Sequence, residues 1–395
     1  MKSSVTLHRQ LNVLTGVMRK CGLPIASILL LLLINDCKNS PPSGPGNGST
    51  QVHKPLIEFT FVPNYGTTDS LKGKVGNIKP DSFEVAVYIF VEGSGWWTKP
   101  TFANPLTPIQ SDSTWKCNIT TGSNDLYATE ICAFLLRNGV SAPQAAGLSD
   151  LPTSLDTISV ASVSIVRYGR SFSFSGYEWW AKASITPVGP GPNYFSDNEE
   201  NVWVDSVGQL HLCVTQSNGV WHCPEVINKS SLGYGRYIFQ VTGEIGNLDK
   251  NVVLGIFTWD NSSAENHREI DMEFSQWGIE QDTNSQYVVQ PYSQSGNLHH
   301  WVIPTSMDSS THSFAWEPDS IHFLSAKGYQ SALPYDSILH SWPYSGPGVP
   351  SHGNENARIN LWLFNGVPPS NSMQTEVVIK KFEYIGAPTP VRNNN

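Results

Sequence analysis

Three acidic residues at alternate positions mark the segment His267–Phe274. Glu269, Asp271 and Glu273 are separated by single apolar residues, and side chains alternate along a strand, so their carboxyl groups are expected on one face. Such close carboxyl groups do not all ionise near neutral pH, so one is expected to hold a proton while another stays anionic. Glycoside hydrolysis needs this combination of a proton donor and an anionic carboxylate.

The spacing of these acids leaves the stereochemistry open. On an extended strand the Cα atoms of Glu269 and Glu273 lie roughly 13 Å apart. Retaining enzymes hold their carboxyl groups about 5–5.5 Å apart and inverting enzymes about 6.5–9.5 Å apart. A solvated acidic stripe is the simple alternative. Against it, only 14% of the residues are charged, so three acids in five residues are dense.

The elements that position these acids are expected to be strands. The 395 residues exceed the roughly 250–300 that one core organises, which predicts two domains. With 32 Gly and 27 Pro among many aromatic residues, the composition favours strands joined by tight turns, an all-β protein. Residues 52–168 are predicted to form an immunoglobulin-like β-sandwich, with Phe83–Val91 as an alternating strand. Residues 169–388 show about ten strand patterns, which predicts a β-jelly roll with a concave cleft, and 389–395 are expected to be a disordered tail.

The first residues predict export. Met18, Arg19 and Lys20 precede the apolar run Cys21–Ile34, which is short for a membrane span but typical of a signal peptide. Cys37 closes this segment and is followed by a Pro-, Gly- and Ser-rich tether. We therefore expect a signal at 1–37, lipidation at Cys37 and a flexible linker at 38–51, with ordinary secretion as the alternative. The expected location is the cell surface or outer membrane.

The charge and the other motifs narrow the functional classes. A net charge of −9 argues against nucleic acid as a partner. The sequence has no phosphate-binding loop, dinucleotide fingerprint or zinc-protease motif. No metal site and no cofactor are therefore expected, although a structural calcium ion stays open. Cys213 and Cys223 flank Asn218 symmetrically, which predicts a disulfide across a hairpin, with buried thiols as the alternative.

Residues 176–384 resemble glycoside hydrolase family 16, whose jelly-roll members carry E-[IL]-D-x-E in the cleft. The resemblance rests on four segments: Gly189–Asn193, Glu269–Phe274, His312–Trp316 and Asn360–Trp362. It implies a retaining mechanism in which Glu269 is the nucleophile, Glu273 is the acid/base and Asp271 orients the nucleophile or shares its proton. Arg268 departs from the acidic residue that is common at this position in the lichenase branch of the family, and it is expected to point away from Glu269.

The resemblance also implies residues that contact sugar. Asn360 and Trp362 match a sugar-contacting pair and alternate onto one face of their strand, and Asn193 resembles a hydroxyl-binding residue at the cleft mouth. Trp259 ends the strand before the acidic one, and Gln290 lies on the strand after it. For each Trp, packing in the core is an equal alternative to stacking on sugar.

Taken together, the sequence predicts an exported, monomeric glycoside hydrolase acting on a polysaccharide, with endo cleavage of a β-1,3/1,4-glucan favoured. Contact with a membrane is expected only through the lipid anchor. Two other classes stay open. One is a non-catalytic glycan-binding protein on the same fold, and the other is an adhesin whose working part is the N-terminal sandwich.

Overall fold

Strands provide nearly all the regular structure in the computed structural model, which describes residues 53–280, 283–331 and 336–387. The predicted signal, the linker, Cys37 and the tail lie outside the described residues. No helix in the described part of the chain is long and apolar enough to cross a membrane.

The first part of the described chain is a two-sheet sandwich. Its elements are β1 (Leu56–Phe61), β2 (Leu71–Gly76), β3 (Phe83–Val91), β4 (Gly95–Lys99), β5 (Leu106–Pro108), β6 (Thr114–Cys117), β7 (Ala128–Arg137), β8 (Ala146–Leu148), α1 (Ser154–Ile158) and β9 (Ser159–Val166). One sheet has the order β1-β2-β6, and the other has the order β8-β4-β3-β7-β9, with β5 beside β3. The immunoglobulin-like assignment of this sandwich stays a prediction.

Strand β3 of the larger sheet contributes side chains to two hydrophobic clusters, one on each of its faces. Its residues Phe83, Val85, Val87, Ile89 and Val91 are buried together between the two sheets, as their alternation predicts. The opposite face of the strand is buried as well, in a second cluster to which α1 contributes Leu155. Burial of both faces makes β3 apolar along most of its length.

The second part of the described chain contains the remaining strands. They are β10 (Ser171–Phe174), β11 (Tyr177–Ala181), β12 (Tyr194–Phe195), β13 (Val202–Val204), β14 (Leu210–Ser217), β15 (Val220–Cys223), β16 (Glu225–Asn228), β17 (Gly235–Thr242), β18 (Val252–Trp259), β19 (Ile270–Phe274), β20 (Ser285–Val289), β21 (Leu298–Trp301), β22 (Ser309–Glu317), β23 (Ser320–Lys327), β24 (Ile338–Tyr344), β25 (Asn356–Leu363) and β26 (Thr375–Gly386). Short 3₁₀ turns lie at Pro80–Ser82, Asp125–Tyr127, Ile245–Asn247, Ala264–Arg268 and Phe364–Gly366.

These strands build two large sheets. One has eight strands in the order β10-β11-β16-β25-β18-β19-β20-β21. The other has nine and runs β12-β15-β14-β26-β17-β22-β23-β24, with β13 beside β14. Inward-facing side chains of both sheets, such as Phe239, Met272, Leu361 and Ile379, form one continuous core. The prediction of an all-β protein with a β-jelly roll in its second part is confirmed.

Candidate active site

Strand β19 presents its acidic and apolar residues to opposite sides. Ile270, Met272 and Phe274 are fully buried in the jelly-roll core. The intervening Asp271 and Glu273 therefore face away from the core, and Glu269 directly precedes the strand. All three acids line one cavity of about 240 Å³ on the outer face of the eight-stranded sheet. The predicted grouping of the carboxyl groups on one face thus agrees with their placement.

Burial and mutual repulsion keep protons on this cluster. Burial, followed by the charge of Glu273, raises the pKa of Glu269 to about 8. Burial, followed by the charges of Glu269 and Glu273, raises the pKa of Asp271 well above its usual range. Burial also raises the pKa of Glu273. The Glu269 and Asp271 carboxyl groups hydrogen bond to each other, which lowers the pKa of Glu269 and raises that of Asp271. The shared hydrogen bond therefore favours the protonated form of Asp271 and the ionised form of Glu269.

The side-chain amides of two glutamines, one on β20 and one directly after it, hydrogen bond to Glu273 and Asp271. Gln286 Nε2 donates to Glu273 Oε2 at 2.6 Å, and Gln290 Nε2 donates to Asp271 Oδ2 at 3.1 Å. Each of these bonds lowers the pKa of the carboxyl group that accepts it. Gln290, predicted to contact sugar, is outside the cavity lining, and its amide oxygen accepts from the Tyr292 N–H. It therefore positions Asp271.

Two cationic side chains, Lys182 and Arg358, line the cavity together with the acids. Glu225 on β16 is buried and bonds to Lys182 Nζ and to Arg358 Nη1, each at 3.2 Å. The Arg358 guanidinium lies 5.4 Å from the Tyr168 ring centroid and 5.9 Å from that of Trp259. Its positive charge lowers the pKa of Glu269. Arg358 thus favours the ionised form of the proposed nucleophile.

The registers of β18, β19 and β25 bring Glu273, Gly255 and Asn360 into one row. Asn360 donates weakly to Glu225 Oε2 at 3.5 Å, while its buried Oδ1 has no partner among the described residues. Gly255 allows this arrangement, because a Cβ there would lie 2.4 Å from that Oδ1. A glycine inside a strand often marks such a close approach. Asn360 Oδ1 is therefore an acceptor without a hydrogen-bond partner in the same row as Glu273.

Aromatic side chains complete the cavity. Trp259 and Trp362 both line it and are half-buried, so neither belongs wholly to the core. His267 stacks on Trp259, with ring centroids 4.0 Å apart and planes 9° apart. Burial lowers the pKa of His267, so this imidazole is neutral at pH 7. The predicted placement of Asn360 and Trp362 on one face agrees with their shared position in the lining.

Two residues discussed from the sequence do not line the cavity, Asn193 against expectation and Arg268 as expected. Asn193 lies behind the cavity wall, where its Nδ2 donates to the carbonyls of Pro190 and Leu363 at 2.8 and 2.9 Å. Its amide therefore holds the backbone together and does not reach the cavity. Arg268 points away from the acids as expected, because its guanidinium donates to Asp260 Oδ2 and to the Ser351 carbonyl.

The predicted Cys213–Cys223 disulfide is wrong, because both residues are free thiols. Asn218 and Gly219 form a two-residue turn with positive φ, so the hairpin is centred between them. The prediction centred it on Asn218. This half-residue difference in the centre shifts the cross-strand pairing by one residue and places the two side chains on opposite faces of the strands.

Several lining residues were missed from the sequence. Arg358 carried a usable signal, since it shares its strand face with Asn360 and Trp362. No sequence pattern marks Lys182 or Glu225 as a cavity residue. Five further residues come from the N-terminal sandwich, where nothing in the sequence connects them to the acids: Phe90, Glu92, Thr129, Glu130 and Val166. No group of three or more His, Cys, Asp or Glu side chains in the described ranges is arranged to hold a metal ion.

Comparison with known proteins yields no matching family model and no matching curated sequence. Among solved structures, a Bacillus licheniformis β-glucanase is 18% identical with a TM-score of 0.41, covering 55% of this chain and 99% of its own. A pseudo β-1,3-glucanase of Mycobacterium tuberculosis is 17% identical with a TM-score of 0.42, covering 53% and 91%. A Bacteroides ovatus GH16 protein in complex with a glucan product is 11% identical with a TM-score of 0.41, covering 52% and 94%. At such identities, function has to be argued from the residues in the cleft.

Proposed function

We propose that this protein is a glycoside hydrolase of the family 16 type that cleaves β-glucan by a retaining mechanism. The observation that carries the proposal is the set of three acids on one cavity, with raised pKa values and a hydrogen bond between Glu269 and Asp271. In keeping with the sequence expectations, we propose that the protein is exported, is anchored through a lipid at Cys37 and carries an immunoglobulin-like N-terminal module.

In the proposed first step, Glu269 attacks the anomeric carbon. The bond to the leaving oxygen breaks as Glu273 donates its proton to that oxygen, which leaves a covalent glycosyl-enzyme. The raised pKa of Glu273 suits a group that must enter this step protonated. Burial raises the pKa of Glu269 to about 8, and the Arg358 charge and the hydrogen bond from Asp271 oppose this rise, which favours the carboxylate needed for attack.

In the proposed second step, Glu273 takes a proton from water. The resulting hydroxide attacks the anomeric carbon, the sugar–Glu269 bond breaks, and both carboxyl groups return to their starting states. Asp271 donates its hydrogen bond whenever Glu269 carries a free carboxylate. Gln290 fixes Asp271 in the orientation that this bond requires. Asp271 and Gln290 are therefore positioning residues.

The lining supports a glucan as the substrate. Sugar rings bury apolar faces against aromatic side chains and direct hydroxyl groups to polar atoms. Trp259 and Trp362 offer the aromatic faces, and the unpaired Asn360 Oδ1 offers an acceptor for a hydroxyl hydrogen. An uncharged β-1,3/1,4-glucan meets these requirements.

The test is release of reducing sugar from lichenan, laminarin and xyloglucan by the wild type and by Glu269→Gln. We expect release from at least one β-glucan and its loss in the variant, with proton NMR showing retained anomeric configuration. Glu273→Gln should lose far more activity on natural glucan than on an aryl glycoside, whose leaving group needs no proton. Equal loss on both substrates would contradict the assigned role of Glu273.

Binding of glucan without any release would instead identify a glycan-binding protein. Inversion of configuration would leave a hydrolase but refute Glu269 as the nucleophile.

A further inference from the structure

The N-terminal sandwich supplies one wall of the cavity that contains the acids. Phe90, Glu130 and Val166 lie directly opposite one another on the neighbouring strands β3, β7 and β9. Together with Glu92 and Thr129 they line the cavity, and we call these five residues the sandwich wall. Because they come from the same end of three adjacent strands, they form one continuous surface.

The junction between the two parts fixes this wall in place. Arg167 is buried and donates to four backbone carbonyls of the sandwich, those of Pro63, Asn64, Leu126 and Ala128. The next residue, Tyr168, lines the cavity, and its carbonyl accepts from the Ala183 N–H at 2.8 Å. Tyr65 of the sandwich donates from its hydroxyl to the Ala183 carbonyl at 3.3 Å. These bonds join the sandwich to the jelly roll without a free linker.

The sandwich wall borders the eight-stranded sheet on one side only of the acids. The cavity lining runs from β19, which carries the acids, across β18 and β25 to Glu225 on β16 and to Lys182 and Ala183 after β11. Since the junction is bonded to Ala183, the wall meets the sheet beyond β16. A volume of about 240 Å³ is small beside the roughly 300–1,000 Å³ of typical ligand sites.

We propose that the sandwich wall closes the cleft at its β11–β16 end, so that the protein binds and cleaves near a chain end of the glucan. This inference rests on the proposed function and differs from the endo action expected from sequence. A substrate lying over β19 and running toward β16 meets the wall, where its terminal sugar is enclosed. Glu92, Thr129 and Glu130 are then specificity-determining residues for that sugar.

The charges of the enclosed space define the terminal sugar further. The cavity contains six carboxyl side chains, from Glu92, Glu130, Glu225, Glu269, Asp271 and Glu273, and two cationic ones, Lys182 and Arg358. Both cations are already bonded to Glu225. A sulfated or uronic acid unit would therefore meet an excess of carboxyl groups, with neither cationic side chain free to pair with it. The site should accept an uncharged terminal sugar whose hydroxyl groups donate to carboxylates.

The mode of cleavage is tested by following viscosity and reducing ends together during digestion of the preferred glucan. Cleavage near chain ends should release a product of one short length while viscosity stays close to its starting value. A rapid loss of viscosity with products of many lengths would overturn the closed cleft but leave the proposed hydrolase standing. No hydrolysis of any glucan would overturn both.

The wall itself is tested with Glu92→Ala and Thr129→Ala. Each should lower kcat/KM on short oligosaccharides about tenfold, as expected for loss of one hydrogen bond to the substrate. The matched control is Glu84→Gln, on β3 with Phe90 but outside the cavity lining, which should change nothing. Thermal unfolding verifies that each variant is folded. Unchanged kinetics in both wall variants would refute the proposed contact with the terminal sugar.

Discussion

Substitution of Gly255 by Ala tests whether the row Glu273–Gly255–Asn360 forms the floor of the site. The new Cβ would lie 2.4 Å from Asn360 Oδ1, whereas contacts under 3.0 Å are essentially never found. The Asn360 amide must therefore retreat by about half an ångström or rotate away. Misplacement of a positioning group by about 1 Å can cost 10²-fold in rate, so we expect a loss of about 10- to 100-fold in kcat/KM.

The same substitution should affect stability only modestly. Overpacking costs about 1–3 kcal/mol, and the reduced backbone freedom of the unfolded chain returns about 0.4–1 kcal/mol. The backbone of Gly255 is outside the left-handed region, so alanine adopts it without strain. A lowering of Tm by a few degrees is expected. The kinetic loss should therefore appear in a protein that is still folded.

A double-mutant cycle with Asn360→Ala separates the clash from other effects. If the damage passes through the Asn360 amide, Gly255→Ala should cost little in the Asn360→Ala background. Gly76→Ala is the matched control, since its Cβ would make an ordinary 3.5 Å contact with Leu56 and neither residue lines the cavity. Full activity of Gly255→Ala, or strict additivity in the cycle, would refute the reasoning.

Three further predictions concern charge, thiols and stacking. The folded-state pKa of Glu269, about 8, lies above its ordinary value, so the folded state holds the extra proton and stability should fall as pH rises from about 5 to 8. Glu269→Gln should reduce that slope in thermal unfolding, and an unchanged slope would exclude Glu269 as its source. Cys213 and Cys223 should resist iodoacetamide in the folded protein and both react after unfolding without reductant, because burial raises their pKa to about 11 and about 12; a mass spectrum showing a linked pair would contradict this. Trp362→Ala should raise KM about tenfold while Trp362→Phe retains most of the affinity, and equal KM values would remove the stacking role.

The sequence was informative wherever short-range periodicity decides the outcome. Strand alternation alone predicts that Ile270, Met272 and Phe274 enter the core while Asp271 and Glu273 face the cavity, and the structure agrees. The hairpin at Asn218 shows how narrow this success is. The turn was located correctly, but an error of half a residue in its centre shifted the cross-strand pairing by one residue and reversed the predicted relation of the two cysteines.

Contacts between distant segments lay beyond the sequence. Asn193 matched a motif, yet its amide is held by the Leu363 carbonyl, 170 residues away. Glu225 is paired with Arg358 across 133 residues, and no local pattern encodes this pair. The sandwich wall depends on how two separate cores pack, which side-chain periodicity within either part does not determine. These longer-range placements decide which polar groups reach the cavity.

Arg358 connects the electrostatics of the acids with the docking of the sandwich. Its guanidinium lies near the ring of Tyr168, at the junction, and near that of Trp259, in the cavity lining, and is bonded to Glu225. Its charge lowers the pKa of Glu269, so its position bears on the ionisation of the proposed nucleophile. Because Tyr168 is held next to Arg167, which is bonded into the sandwich, the N-terminal part helps to fix this cation. The sandwich would then contribute to the chemistry as well as to the shape of the cleft.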